Sequence, residues 1–363
     1  MARLHSLSVS GYKSIKNIEK LELKNLNILI GANGAGKSNF ISLFRLLNAI
    51  ENQQLQLYVQ KQGGPDSLLH FGRKNTEKMH FECFFTERLM NGYKFDLIPT
   101  SDNRMIFEQE KTWFEGVYFP SATHTVGMEN EESNLDNTDD TFAPYVQRAM
   151  KGWRIYHFHD TSDSAKVKGV NTINDNLLLK DDAANLATYL RKIRQEYPKE
   201  YQRIVETIRL VLPFFYDFVY RDEENLEYIE LEWLQVGQLD TPLKAHMLSD
   251  GSLRFICLAT LLLQPLKLLP DAIIIDEPEL GLHPYAITVL ADIFKQIAED
   301  MQLIIATQSV ELINEFEPED IIVVEQHNGA SSFNRLSAEK LRDWLEDYSL
   351  GELWKRNIIG GRP

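Results

Sequence analysis

The chain has 363 residues, 44% hydrophobic and 25% charged, enough for a sizeable core in two domains or in one large domain with insertions. Its formal net charge of −15 argues against a dedicated nucleic-acid binder, which carries a basic excess, and no Lys/Arg cluster stands out against the acidic background. No apolar run reaches the roughly 18 residues of a membrane-spanning helix, MARLHSLSVSGYKSI lacks the apolar core of a secretory leader, and Cys83 and Cys257 lie in apolar stretches, as buried thiols of a reducing cytoplasm do.

Residues 3–30 alternate short apolar runs with polar breaks, LHSLSVSGYKSI and then LELKNLNILIG, which read as strands feeding a glycine-rich turn. SNFISLFRLLNAIE follows, a helix buried on most sides, with Ser42, Arg45 and Asn48 spaced along its polar edge. MHFECFF, YKFDLI and NRMIFEQE read as strands. Residues 127–140, GMENEESNLDNTDD, hold six acidic residues and no basic one, and are expected to form a mobile surface loop. YHFHD at 156–160 reads as a strand with His157 and His159 on one face; a metal reading would need further ligands. Residues 183–212 are helical in pattern, and NLEYIELEWLQV alternates as a strand. The last third is a regular series: a helix over about Ser252–Leu268, the strand AIIID, a helix from Pro284, the strand QLIIAT, a helix from Val310 and the strand DIIVVEQ. That alternation implies an α/β fold with a mostly parallel sheet, and the unbroken apolar runs suit strands covered on both faces.

GANGAGKS, Gly31 to Ser38, matches G-x-x-x-x-G-K-[ST] and lies between a strand and a helix, the context that gives the motif its meaning. Gly31, Gly34 and Gly36 let backbone wrap closely around phosphates, while Ala32, Asn33, Ala35 and the start of the helix offer N–H groups to an anion. Lys37 is placed to reach β- and γ-phosphates and the Ser38 hydroxyl to bind Mg²⁺. Asp276 ends the strand AIIID at the sheet edge where ligands of open α/β sheets lie, and suits the same metal. Glu277, the next residue, points elsewhere and suits a base that accepts a proton from attacking water. Gln308, at the end of QLIIAT, is a candidate for orienting that water, and Thr307 or Ser309 for capping the helix that follows. LSDGSLRF, Leu248 to Phe255, reads alone as a turn opening a helix.

The order of these pieces, phosphate loop, long middle, LSDGS, IIIDEPELGLHP and IIATQS, resembles the ABC-type ATPase heads of SMC, RecF and OLD proteins, above all the compact bacterial RecF/OLD-like ATPases. LSVSGYKSIKN also looks like their entry strand. The resemblance covers roughly residues 1–110 and 225–345. It implies an ABC-type head with a mostly parallel core sheet, an antiparallel β subdomain and an inserted, mainly helical lid. Residues 1–110 would be the first lobe, 111–224 the lid with its acidic loop, and 225–363 the second lobe.

The same resemblance makes Gly31 to Asn39 the Walker A loop, Asp276 and Glu277 the metal ligand and base, and Glu279 to His283 a loop at a dimer interface. Ser249 and the backbone of Gly251 would contact ATP held by a second copy. ATP and Mg²⁺ are the implied cofactors, and a homodimer closed around two ATP molecules the implied assembly. The chain departs from the pattern at Asp250, where the signature's first glycine is usual, and at Gln308, where histidine is common. Gln60 and Gln62 are the candidates for a Q-loop glutamine. The 209 residues between Ser38 and Leu248 show no sustained heptads, so no SMC coiled coil is expected. The 55 residues after Gln308 are too few for the nuclease of OLD proteins. Three functions stay open: a cytoplasmic ATPase switch for a separately encoded effector such as a Toprim-like nuclease in anti-phage defence or DNA maintenance, a RecF-like factor that clamps DNA itself, and a non-hydrolysing ATP-binding scaffold.

Overall fold

The computed structural model describes residues 2–86, 89–116, 120–221 and 227–362. The chain divides into two compact units. Met1–Ile155, Pro270–Ile274 and Met301–Pro363 form the first, and Tyr156–Leu269 with Ile275–Asp300 the second.

The first unit opens with the hairpin β1 (Arg3–Tyr12) and β2 (Ile15–Glu22), then β3 (Leu26–Ile30), α1 (Lys37–Glu51), α2 (Leu55–Lys61) and α3 (Pro65–Leu68). Strands β4 (Met79–Thr86), β5 (Met90–Pro99), β6 (Met105–Phe114) and β7 (Ala122–Gly127) follow, then α4 (Ala143–Lys151) and β8 (Trp153–Tyr156). An antiparallel sheet runs β2-β1-β4-β5-β6-β7. Its strands are half-buried: on β4, Met79, Phe81, Cys83 and Phe85 face the core and the residues between them do not. Burial raises the Cys83 thiol pKa well above its usual range, so it is an inert core residue. The mostly buried α1 packs Phe44 edge-on against Trp153, ring centroids 5.9 Å apart.

Two expectations change here. The end of β6, through Phe114, and all of β7, Ala122–Gly127, belong to this antiparallel sheet, so the insertion begins after Ile155 rather than at 111. The acidic segment 127–140, expected as a mobile surface loop, makes specific contacts in the fold. Glu132 accepts the N–H groups of Leu55 and Gln56 at 2.8 and 3.0 Å, at the start of α2. Ser133 Oγ and the Asn134 N–H donate to the buried carboxylate of Glu110, and Leu135 is buried. Acidic residues that cap a helix start and a loop that satisfies a buried carboxylate have fixed partners, whatever the composition suggests.

The second unit contains β9 (Asn171–Thr172), α5 (Leu186–Glu196), α6 (Pro198–Val211), β10 (Phe215–Val219), β11 (Tyr228–Ile229), β12 (Glu232–Gln235), β13 (Gln238–Lys244) and α7 (Asp250–Leu263). Pro198 divides the expected long helix into two. NLEYIELEWLQV forms two short strands, and its Asn225 and Leu226 lie outside the described residues. YHFHD is not a strand: β8 ends at Tyr156, and His157 and His159 sit in irregular chain. No group of three metal-ligating side chains occurs among the described residues.

The chain closes with β14 (Ala272–Asp276), α8 (Pro284–Ile297), β15 (Gln302–Thr307), α9 (Val310–Ile313), β16 (Ile321–His327), β17 (Ala330–Arg335), α10 (Ala338–Leu345) and α11 (Leu350–Lys355). The second six-stranded sheet runs β17-β16-β3-β15-β14-β8. Strands β15 and β16 are parallel to β3, and β17 turns back antiparallel through Asn328 and Gly329, both at positive φ. Every residue of β3 and β15 is buried, as expected of central parallel strands. Ile30, the last residue of β3, is in register with Thr307, the last of β15, and with Val323 of β16. Among the described residues no helix is long and apolar enough to cross a membrane.

Candidate nucleotide site

In the first unit the phosphate loop is the direct continuation of β3 into α1. Gly36 is the N-cap of α1 at φ 119°, a conformation that L side chains rarely adopt. A Cβ on Gly36 would collide with the Ser331 hydroxyl, and one on Gly31 with the Val324 carbonyl. Both glycines are therefore fixed by neighbours as well as by conformation. A Cβ on Gly34 would meet nothing within 4 Å, and Gly34 and Asn33 are exposed at the rim.

Lys37 is 5% exposed, and its ammonium donates to the carbonyls of Gly31 at 2.5 Å and Ala32 at 3.2 Å. The lysine thus spans the loop from inside. Ser38 is exposed beside it, and the first turn of α1 carries no acidic residue that would oppose an anion. Asn39 points the other way, donating to Ser14 Oγ at 2.7 Å, so this end of the motif braces the loop.

Two loop-bracing residues escaped the sequence reading. Ser331 Oγ donates to the Ala35 carbonyl at 2.6 Å and is hydrogen-bonded to Ser14 Oγ at 2.8 Å. Ser14, in the β1–β2 turn, therefore links Asn39 and Ser331. Ser14 lies in the quoted GYKSI, but nothing in the sequence near Ser331 signals its role. On the opposite side, the pairing of Thr307 with Ile30 brings Gln308 to the same sheet edge as Gly31. Thr307 Oγ1 accepts the Ser309 N–H at 3.0 Å, and Ser309 Oγ accepts the Leu312 N–H at 3.1 Å. Thr307 and Ser309 hold the turn, and the half-buried Gln308 lies between them.

In the second unit, Asp276 ends β14 and Glu277 follows at φ 45°. A positive φ at a glutamate is a sparsely populated, strained conformation, here at the turn out of the strand. His159 Nε2 donates to the Asp276 carbonyl at 2.9 Å. His283 caps α8, accepting the Tyr285 N–H at Nδ1.

Ser249 is the N-cap of α7 and accepts the Ser252 N–H at 3.2 Å. Ser249 and Asp250 are exposed, and Gly251 is half-buried against the loop that follows Glu277. Arg254, one turn further along α7, is buried. Its guanidinium donates to the carbonyls of Phe158 at 2.8 Å, His159 at 3.2 Å and Leu280. One side chain thereby ties the start of α7 to the loop after Glu277 and to the segment that reaches Asp276. The sequence signal for it was an arginine within an otherwise apolar helix.

The first unit therefore groups Gly31–Asn39 with Gln308, and the second groups Asp276, Glu277, Ser249 and Gly251. The glycine cradle with Lys37 lying across it fits a polyphosphate, and the exposed Ser38 hydroxyl and the Asp276 carboxylate are oxygen donors of the kind Mg²⁺ takes.

The structure is similar to an SMC head bound to the C-terminal winged-helix domain of ScpA, with a TM-score of 0.60 at 17% identity, covering 94% of this chain and 99% of that one. It is also similar to a Pyrococcus furiosus SMC head with an extended coiled coil bound to the C-terminal domain of ScpA, with a TM-score of 0.59 at 16% identity, covering 96% and 99%. No curated protein matches the sequence. The family model described as "AAA domain, putative AbiEii toxin, Type IV TA system" matches residues 26–314, which include the phosphate loop, LSDGS, Asp276–Glu277 and Gln308. The fold is that of an SMC-type ATPase head, and the chain belongs to this family of AAA domains.

Proposed function

We propose that the protein is an ATP-hydrolysing conformational switch that closes as a homodimer around two ATP molecules and passes the change of shape to a separately encoded effector. The observation that carries the reading is the phosphate loop, with Lys37 held inside it and Gln308 at the same strand edge.

Lys37 binds the β- and γ-phosphates, and the loop's N–H groups with the start of α1 hold the remaining charge. Ser38 and Asp276 would hold Mg²⁺, which when bound neutralises charge on the phosphate oxygens. Glu277 takes the proton of the attacking water, and Gln308 orients that water. Ser249 and the Gly251 backbone complete the site of the second copy. The acidic body, at −15, favours an effector protein over direct DNA clamping, because a phosphate backbone needs a basic face. A Toprim-like nuclease in anti-phage defence or DNA maintenance is the effector class we favour.

The test is phosphate release by wild type and Glu277→Gln, with sedimentation of both in ATP. The reading expects turnover in wild type, and in Glu277→Gln no turnover and a persistent dimer. A wild-type chain that binds ATP but neither turns it over nor dimerises is a scaffold. Tight, salt-sensitive binding to duplex DNA in ATP would replace the effector with DNA.

A further inference from the structure

The end of the described chain lies against the phosphate loop. After α11 the chain turns through Gly360 and Gly361, at φ 79° and 61°. Three interactions fix this turn. The buried Trp354 indole donates to the Gly361 carbonyl at 2.5 Å, the Gly361 N–H donates to Glu325 Oε1 at 3.0 Å, and Ile359 is buried. Gly361 is packed so closely that a Cβ there would lie 2.7 Å from Val323 Cγ1 and 3.4 Å from the Cα of Gly31. Conformation and space both demand glycine at this position. The first glycine of the phosphate loop is thus enclosed between the Val324 carbonyl and Gly361.

Arg362 follows, about 3.8 Å further along the Cα trace. It is exposed, and no ion pair among the described residues holds its guanidinium. A triphosphate brings several negative charges to a body already at −15. Lys37, the loop's own cation, is fastened to the Gly31 and Ala32 carbonyls. A guanidinium beside the loop adds to the charge of Lys37 and Mg²⁺, and it matches phosphate oxygens with two parallel donors.

We propose that Arg362 is a phosphate ligand of the nucleotide bound in the same copy, held beside Gly31 by the clamped Gly360–Gly361 turn. This rests on the nucleotide reading of the phosphate loop.

The experiment is calorimetric titration of the full chain, as wild type, Lys37→Ala, Arg362→Ala and Arg362→Lys, with Mg-ATP, Mg-ADP and AMP. Thermal unfolding of each ligand-free variant runs alongside. Arg362→Ala should weaken Mg-ATP binding about 10- to 100-fold, the range for losing one charge-assisted hydrogen bond. Arg362→Lys should recover part of the loss, and the ligand-free unfolding midpoint should not move, because the side chain is exposed. The shortest nucleotide whose affinity falls identifies which phosphate Arg362 meets. Arg362→Ala binding all three nucleotides within twofold of wild type overturns the proposal and leaves the nucleotide reading standing. A wild type that binds no nucleotide, or Lys37→Ala binding as wild type does, overturns both.

Discussion

The Cα of Gly251 packs directly onto the carbonyl oxygen of Gly281, and a Cβ on Gly251 would overlap that oxygen. Both groups are backbone, so no side-chain rotation relieves the clash. Gly251→Ala should therefore push the start of α7 away from the loop after Glu277, at a cost of about 1–3 kcal/mol in stability. It leaves the phosphate loop untouched. We expect nucleotide binding near wild type in titration, with phosphate release reduced at least tenfold. Wild-type turnover in this variant would mean that the contact has no bearing on hydrolysis.

Arg254 supports the same junction from inside. Burial depresses its pKa, and Asp250 and Glu279 nearby oppose that effect. Its three carbonyl partners have a donor there because the guanidinium reaches all of them. Arg254→Met keeps much of the volume but strips a donor from each, and should cost about 3 kcal/mol or more by urea unfolding. Arg254→Lys keeps the charge without the planar fork, and should be intermediate in stability yet poor in turnover. A loss below about 0.5 kcal/mol for the methionine variant, typical of a surface change, would show that the network carries little energy.

Much of this was legible in the sequence, for identifiable reasons. The phosphate loop was readable because its residue types are fixed by backbone geometry, as Gly31 and Gly36 show. Strands β3, β14 and β15 were readable because burial on both faces leaves an unbroken apolar run. What failed depended on partners far away in the chain. The acidic segment looked mobile because its composition does not reveal that Glu132 caps α2 or that Ser133 and Asn134 satisfy Glu110. His157 and His159 looked like strand neighbours because periodicity cannot show that β8 stops at Tyr156. Ser331 braces the loop across 296 residues of sequence separation, and no local pattern encodes such a contact.

Glu110 gives the fold a measurable pH signature. Its carboxylate is buried on β6, and accepts from Tyr93 at 2.5 Å, Ser133 at 2.6 Å and the Asn134 N–H at 2.8 Å. Burial raises its pKa above the usual 4.5, against the lowering effect of those donors. In the window above 4.5 the folded chain holds this proton more tightly than the unfolded chain. The contribution is therefore present at low pH and lost as pH rises through the folded value. Glu110→Gln cannot titrate. The stability difference, wild type minus variant, should fall as pH rises through that window and level off above it, in urea titrations at several pH values. A difference that rises with pH over that range would contradict the raised pKa.

Ser249 tests whether the exposed start of α7 serves a second copy. Its hydroxyl caps the helix, accepting the Ser252 N–H, while the residue itself faces solvent. Ser249→Ala removes the cap and should cost about 1 kcal/mol. Ser249→Arg removes the cap equally and adds a long, charged side chain to the exposed surface. Any difference between the two variants beyond stability thus reports on what approaches that surface. If a second copy's nucleotide docks there, both variants should bind ATP as monomers with wild-type affinity. Ser249→Ala should still dimerise in the Glu277→Gln background, whereas Ser249→Arg should stay monomeric by sedimentation and lose turnover when Glu277 is intact. Normal turnover by Ser249→Arg would reduce LSDGSLRF to the start of a helix.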